Sequence, residues 1–218
     1  MPTPPIHDRL VARLLADATP VRPLWSPPTR LALWLLLEAL MLGVAVQVGL
    51  RRDLGDHLRQ PLFLLELGML IAAGAMAAAM ALRGAVPGMG SGPFTVTCSV
   101  VLVAIAAVFA SLEPLQTVHS LLVFVANGGQ CLLCILGFSA MPWTALFVAV
   151  RRGAPLDGPV TGAYAGAAAF LFGAAAVRIA CPIDEGFHLL AWHALPIALG
   201  AALSGVAGRK WLGRWQEA

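Results

Sequence analysis

Charged side chains are scarce in this sequence. They make up 11% of its 218 residues, whereas soluble domains carry about 25%. Apolar residues account for 59% of the chain, and so few charges cannot cover the surface of a soluble globular protein. The composition therefore argues against a soluble enzyme and predicts a polytopic membrane protein.

Motifs for catalysis and for phosphate or nucleic-acid binding are also missing. The sequence has no Gly-rich phosphate-binding loop, no nucleophilic-serine motif and no basic surface interleaved with aromatic residues. We therefore expect no catalytic residues, no resident cofactor and no direct contact with nucleic acid.

Six apolar runs approach or reach the ~20 residues that a helix needs to cross a bilayer. Their residue types and the lack of alternation favour helices over barrel strands, so the expected fold is all-α. The predicted parts are a tail (1–30), a six-helix transmembrane domain (31–208) and a second tail (209–218). The six runs are Leu31–Leu50, Leu62–Leu82, Thr95–Leu112, Gln130–Val150, Thr161–Ala180 and Phe187–Gly208.

One stretch has an ambiguous start. The segment Leu121–Val150 is almost unbroken in its apolar character and is too long for one span unless it is strongly tilted. We predict a break at 127–129 (Asn-Gly-Gly), with Gln116–Ala126 as a short helix at the membrane interface. The alternative is a span that starts near Leu121.

The basic residues predict the orientation, because cytoplasmic loops and tails retain Lys and Arg. With six spans, one side collects ten basic residues and the other side four. Both termini are therefore predicted to be cytoplasmic, in a bacterial inner membrane. The ten are Arg9, Arg13, Arg22, Arg30, Arg83, Arg151, Arg152, Arg209, Lys210 and Arg214; the four are Arg51, Arg52, Arg59 and Arg178.

Three cysteines are predicted to lie near the outer face, where thiols can be oxidised. Cys131 precedes the end of its helix by about 30 Å, and Cys181 follows the start of the next helix by a similar length. The two helices form a short-looped antiparallel pair, so Cys131 and Cys181 lie at equal depth. The same register places Arg178 level with Cys134, where its charge would favour a thiolate. The alternative is that each cysteine packs as a small apolar side chain.

Other polar residues in or near the spans suggest further sites. His188 is a candidate metal ligand together with the cysteines, since imidazole and thiolate suit zinc or copper. Glu38 and Glu66 would be the candidates for a transport pathway, although they differ in depth. We favour a structural role for Glu66, paired with one of the outer-side arginines.

Residues 6–18 have the pattern of a short amphipathic helix. Leu10, Val11, Leu14 and Leu15 share one face. So short a helix is marginal in water, and it needs either the membrane surface or the groove of a partner protein.

Small residues recur four apart in two predicted spans, at Gly162 and Gly166 and at Gly200 and Ser204. This spacing allows helix backbones to approach closely. We predict packing within the bundle, with a homodimer contact as the alternative.

Several of these segments together resemble the NrsF family, the six-span bacterial regulators named for negative regulation of sigma factor F. The resemblance covers nearly the whole chain and is best over 131–192, where Trp192 accompanies the motifs. The segments are 14–23 (LLADATPVRP), 131–142 (CLLCILGFSAMP), 151–155 (RRGAP), 162–166 (GAYAG), 181–188 (CPIDEGFH) and 214–215 (RW).

The resemblance implies a membrane-bound anti-sigma factor that holds an extracytoplasmic-function sigma factor and releases it under oxidant or heavy-metal stress. Two cysteines recur in the family and correspond to Cys131 and Cys181, whereas Cys134 is an addition to the pattern. The resemblance also implies that the tail binds sigma, through Leu10, Val11, Leu14, Leu15 and Asp17.

Two other function classes remain open at the level of sequence. Three outer-face thiols would also suit a membrane thiol oxidoreductase, although the sequence has no second Cys-x-x-Cys motif. A small transporter is the less favoured alternative.

Overall fold

The structure is a computed structural model that describes residues 6–16, 23–89 and 120–213. This part of the chain is built from helices and contains no strand, which confirms the all-α prediction. The helices are α1 (Ile6–Ala16), α2 (Pro27–Val48), α3 (Leu54–His57), α4 (Pro61–Gly84), α5 (Leu121–Arg151), α6 (Gly158–Arg178), α7 (Gly186–Leu189) and α8 (Leu195–Trp211), with a π-helical turn at Leu190–Ala194 between the last two.

Five segments of the described chain are long and apolar enough to cross a membrane. They are α2, α4, α5, α6 and the continuous helical segment Gly186–Trp211. Each overlaps one predicted span. The predicted span Thr95–Leu112 lies outside the described residues.

Capping side chains explain where two of the spans begin. Ser26 precedes α2 and accepts a hydrogen bond from the backbone N–H of Thr29. Asp157 precedes α6, and its carboxylate accepts from the N–H of Val160 at 3.1 Å. A proline follows in the first turn of each helix, where its missing N–H costs nothing.

The predicted break at 127–129 is wrong, because α5 runs without interruption over 31 residues. The helix is therefore about 46 Å long, longer than a bilayer core of about 30 Å. Glycine at 128 serves packing, since a Cβ there would overlap the indole of Trp192. In an apolar surrounding, an unbroken helix also keeps every backbone group hydrogen-bonded. The described part of Gln116–Ala126 belongs to this helix, so the start near Leu121 is the correct alternative.

The centre of the bundle is α6, which packs against α4, α5 and α8 and is buried along most of its length. Its approach to α8 is close: a Cβ on Gly166 would lie 2.6 Å from the carbonyl oxygen of Gly200. Ser204 Oγ donates a 2.6 Å hydrogen bond to the carbonyl of Gly162. The small residues thus pack within the chain, as predicted.

We expect Gly166→Ala to lower the free energy of unfolding by about 1–3 kcal/mol, because the added methyl group forces α6 and α8 apart. Gly68→Ala is the matched control, since a Cβ at this exposed helical glycine meets nothing within 4 Å. Thermal unfolding in detergent measures both. Equal melting temperatures for the two variants would contradict the close packing.

Helix α1 covers most of the segment predicted to be helical in the tail. Leu10, Val11, Leu14 and Leu15 are all exposed. Asp17 lies outside the described residues. The tail therefore presents four apolar side chains that the described structure does not bury.

Candidate functional site

The two predicted cysteines meet at one end of the bundle. Cys131 lies in α5, and Cys181 lies in the loop 179–185 that follows α6. Both are buried, and their Sγ atoms are 3.6 Å apart. The prediction that they lie level is confirmed, and they also face each other.

Two buried histidines complete the cluster. His188 Nε2 lies 3.6 Å from Sγ of Cys131 and 3.5 Å from Sγ of Cys181. His193 is fully buried, and within the described chain neither of its ring nitrogens has a hydrogen-bond partner. One ligand atom from each of the four residues lies within 4.8 Å of all the others. We call Cys131, Cys181, His188 and His193 the Cys-His cluster.

The sequence gives no ligand motif that includes His193, which follows His188 by five residues. In a regular α-helix, residues five apart lie about 140° apart around the axis. Here the turn Leu190–Ala194 is π-helical, and the N–H of Leu195 donates to the carbonyl of Leu190. The wider turn brings the two imidazole centroids to 5.6 Å. The one local sequence feature that indicates the π-helical turn is Pro196, whose missing N–H disfavours a regular α-helical turn before it. π-Helical turns are frequent at functional sites.

Electrostatics distinguish the two thiols. A hydrogen bond from Cys131, assisted by His188 and opposed by burial, lowers the pKa of Cys181. A lowered pKa favours the thiolate, which is the form that reacts with oxidants and binds soft metals.

Cys134, the third cysteine of the prediction, lies beside the cluster rather than in it. Cys134 is half-buried and packs against the apolar residues around Cys131 and Cys181. It is not one of the four residues whose ligand atoms converge. The Cys131-x-x-Cys134 spacing therefore does not define the site.

Arg178 contacts carboxylates rather than thiols. Its Nε donates to Oε1 of Glu66 and its Nη1 to Oδ1 of Asp184, both at 2.7 Å, and the guanidinium lies over the ring of Phe63. The predicted pairing of Glu66 with an outer-side arginine is confirmed. In the described chain, the groups that reach the thiols are histidines, because the guanidinium is engaged with acidic residues.

Asp184 connects the cysteine loop to Arg51, which follows α2, and to Arg178 at the end of α6. It accepts hydrogen bonds from Arg178 and from both terminal nitrogens of Arg51, at 2.8 and 2.6 Å. Although partial burial opposes the effect, these bonds lower the pKa of Asp184. Arg51 follows the end of α2, and its backbone N–H also donates to the carbonyl of Ile179. Three residues beyond Cys181, the loop is thus clamped to the end of α6 and to the segment that follows α2.

We expect Asp184→Asn to lower the free energy of unfolding by about 1–3 kcal/mol, because it removes the charged acceptor shared by two buried guanidinium groups. Asp56→Asn is the control, since the Asp56–Arg59 ion pair is exposed and its N–O distance is 3.8 Å. This substitution should change the free energy of unfolding by less than about 0.5 kcal/mol. Chemical or thermal unfolding in detergent micelles provides the measurement. A loss no larger than that of the control would show that Asp184 does not clamp the loop.

The two carboxylates considered for transport have separate surroundings. Glu66 is paired with Arg178, whereas Glu38 is buried in α2 with Oε1 unpartnered in the described chain. Nothing in the described geometry joins them into one pathway.

Comparison with known proteins identifies the family of the chain. A family model described as NrsF, negative regulator of sigma F, matches residues 14–215. No curated protein and no solved structure matches the chain. The match includes every residue of the Cys-His cluster and all five spanning segments, and the chain therefore belongs to the NrsF family.

Proposed function

We propose that this protein is an inner-membrane anti-sigma factor that holds an extracytoplasmic-function sigma factor and releases it when Cys131 and Cys181 react with an oxidant or a heavy metal. The family name supports negative regulation of a sigma factor, a role that needs no catalytic residue. The observation that carries the sensing role is the convergence of two buried thiols with two buried histidines.

The spacing of the cluster suits a soft, tetrahedral metal ion. Ligand atoms around tetrahedral Zn²⁺ lie about 3.3–3.8 Å apart, given metal–ligand bonds of about 2.0–2.3 Å. The separations among the two Sγ atoms and His188 Nε2 are 3.5–3.6 Å. His193 supplies a fourth nitrogen, so Zn²⁺, Cd²⁺ or Cu⁺ would be held with small movements of the side chains.

The same pair can be oxidised. Two thiols lose two protons and two electrons to form one S–S bond, and a peroxide that accepts them becomes two waters. The Sγ atoms must close from 3.6 Å to about 2.05 Å. That contraction pulls the loop after α6 toward α5.

A route from the cluster to the tail follows from the clamp at Asp184. Movement of the loop at Cys181 shifts Asp184 and, through Arg51, the end of α2. The other end of α2 connects to the tail that carries α1. A near-complete switch requires the two states to differ by about 5.5 kcal/mol in their affinity for the stimulus, which metal ligation or disulfide formation can supply.

The sigma-binding surface in this proposal is the exposed apolar side of α1, with a contribution from the loop 151–157. Both lie on the cytoplasmic side in the proposed orientation, in which both termini are cytoplasmic. The four exposed side chains of α1 suit a helix that binds in the groove of a partner.

We expect the double substitution Leu14→Asp, Leu15→Asp in the full-length protein to weaken sigma binding by at least about 30-fold, because buried apolar anchors dominate helix-in-groove binding. Co-purification with the sigma factor and titration in nanodiscs measure the loss.

Ala12→Asp, Ala16→Asp is the matched control, since it adds the same charge on the opposite side of the helix. Equal losses in the two double variants would reject the apolar side of α1 as the binding surface. Unchanged binding in both would move the interface to the loops.

A further inference from the structure

A pocket lies at the opposite end of the bundle from the Cys-His cluster, between the start of α2 and the end of α5. Its volume is about 350 Å³, which is within the range of small-molecule sites. The residues that line it include Trp25, Arg30, Leu33 and Arg152. The lining has two arginines and no acidic residue.

Arg30 is unusual among the arginines of the described chain. Its residue is only 9% exposed, and Nη2 donates to the carbonyl of Ala149 in the last turn of α5. Nη1 is buried and has no hydrogen-bond partner in the part of the chain that the structure describes. A buried guanidinium N–H is costly to leave unpaired, so this donor needs an acceptor that the described residues do not supply.

The second cation and the walls of the pocket restrict the kind of anion. Arg152 is exposed and lines the same pocket, so two positive charges face the ligand. Below them the walls are apolar side chains of α2 and α5, including Leu33, which is 48% exposed. Trp25, at the mouth, is 67% exposed, as expected of a tryptophan at a membrane interface.

We propose that this pocket binds an anionic phospholipid, with the phosphodiester headgroup between Arg30 and Arg152 and an acyl chain along the apolar wall. The two cations and the apolar side chains of the lining match the two parts of such a lipid, and basic pockets between spanning helices on the cytoplasmic side are used in this way. The lipid joins the start of α2 to the end of α5, directly beside the segment that leads to α1.

The test uses the full-length protein in detergent and phosphatidylglycerol as the probe. Native mass spectrometry counts the bound lipids, and lipid titration of the melting temperature gives the affinity, because a ligand that binds only the folded state stabilises it. Phosphatidylcholine supplies the same phosphodiester without net charge, and inorganic phosphate supplies a free anion.

We expect phosphatidylglycerol to bind the wild type and to bind about 25-fold more weakly to Arg30→Gln, Arg152→Gln, at roughly fivefold for each arginine. Arg209→Gln removes an exposed cation at the same end of the bundle and should bind as the wild type does. If Arg30→Gln fails to fold, Arg152→Gln alone decides the question, because its side chain is exposed and its fivefold loss is measurable.

Three results would overturn the proposal. Inorganic phosphate that binds as well as the lipid would identify a free-anion site. An equal loss in Arg209→Gln would reduce the effect to general surface charge. A double variant that keeps its lipid affinity but no longer binds the sigma factor would make the pocket a protein-docking site.

Discussion

Replacing either Cys131 or Cys181 by serine is expected to abolish the stress-induced rise in sigma-dependent transcription. The remaining thiol of the pair cannot form the Cys131–Cys181 disulfide. The substitution also removes one of the two soft ligands for a heavy metal. Repression without stress should persist, because the proposed sigma-binding tail is unchanged. A transcriptional reporter read with and without Cd²⁺ or diamide measures both states.

Cys134→Ser is the matched control for this experiment. It makes the same substitution one turn along the same helix, outside the Cys-His cluster, and should keep most of the response. If both Cys131→Ser and Cys181→Ser respond to oxidant and metal as the wild type does, the thiol switch is excluded.

Replacing His193 by glutamine is expected to weaken Zn²⁺ binding by at least about 100-fold. Groups that merely orient a ligand contribute about 10–100-fold to metal affinity, and His193 would bind the ion directly. His188→Gln should have a similar effect. Competition with a chromophoric chelator, on purified protein in detergent, gives the affinities.

His57→Gln is the control for the two histidine variants. His57 lies at the same end of the bundle but contacts Arg51 and Asp53 rather than the thiols, so its loss should leave the metal affinity unchanged. If Cys131 and Cys181 alone bind the metal, both histidine variants should bind it as tightly as the wild type does. That result would remove the histidines from the site and leave the cysteine pair.

Much of the site was predictable because antiparallel helices with a short connection have a fixed register. Equal distances from the loop at 151–160 placed Cys131 and Cys181 at one depth, and the structure brings their sulfur atoms to 3.6 Å. The pairing of Glu66 with one of Arg51, Arg52 and Arg178 followed from the cost of a lone charge inside a membrane, and the structure pairs it with Arg178. Both predictions depend on depth along a helix, which the sequence determines well.

The features that the sequence did not predict depend on rotation about a helix axis or on local packing. The glycines at 128 and 129 resemble a break, yet α5 continues because Gly128 accommodates the ring of Trp192, a contact 64 residues away in sequence. His193 reaches the thiols only through a π-helical turn. The guanidinium of Arg178 binds carboxylates rather than thiols. One of these carboxylates belongs to Asp184, which lies in a loop with no periodic sequence pattern.

In the proposed switch, oxidation of the Cys131–Cys181 pair or metal binding to it changes the affinity of the protein for sigma. The most direct test is the dissociation constant of the sigma factor for the full-length protein in nanodiscs, measured with the pair reduced, with the disulfide formed and with Cd²⁺ bound. We expect binding at least about tenfold weaker in the oxidised or metal-bound protein than in the reduced protein. Equal dissociation constants in all three states would show that the cysteine pair does not control sigma binding.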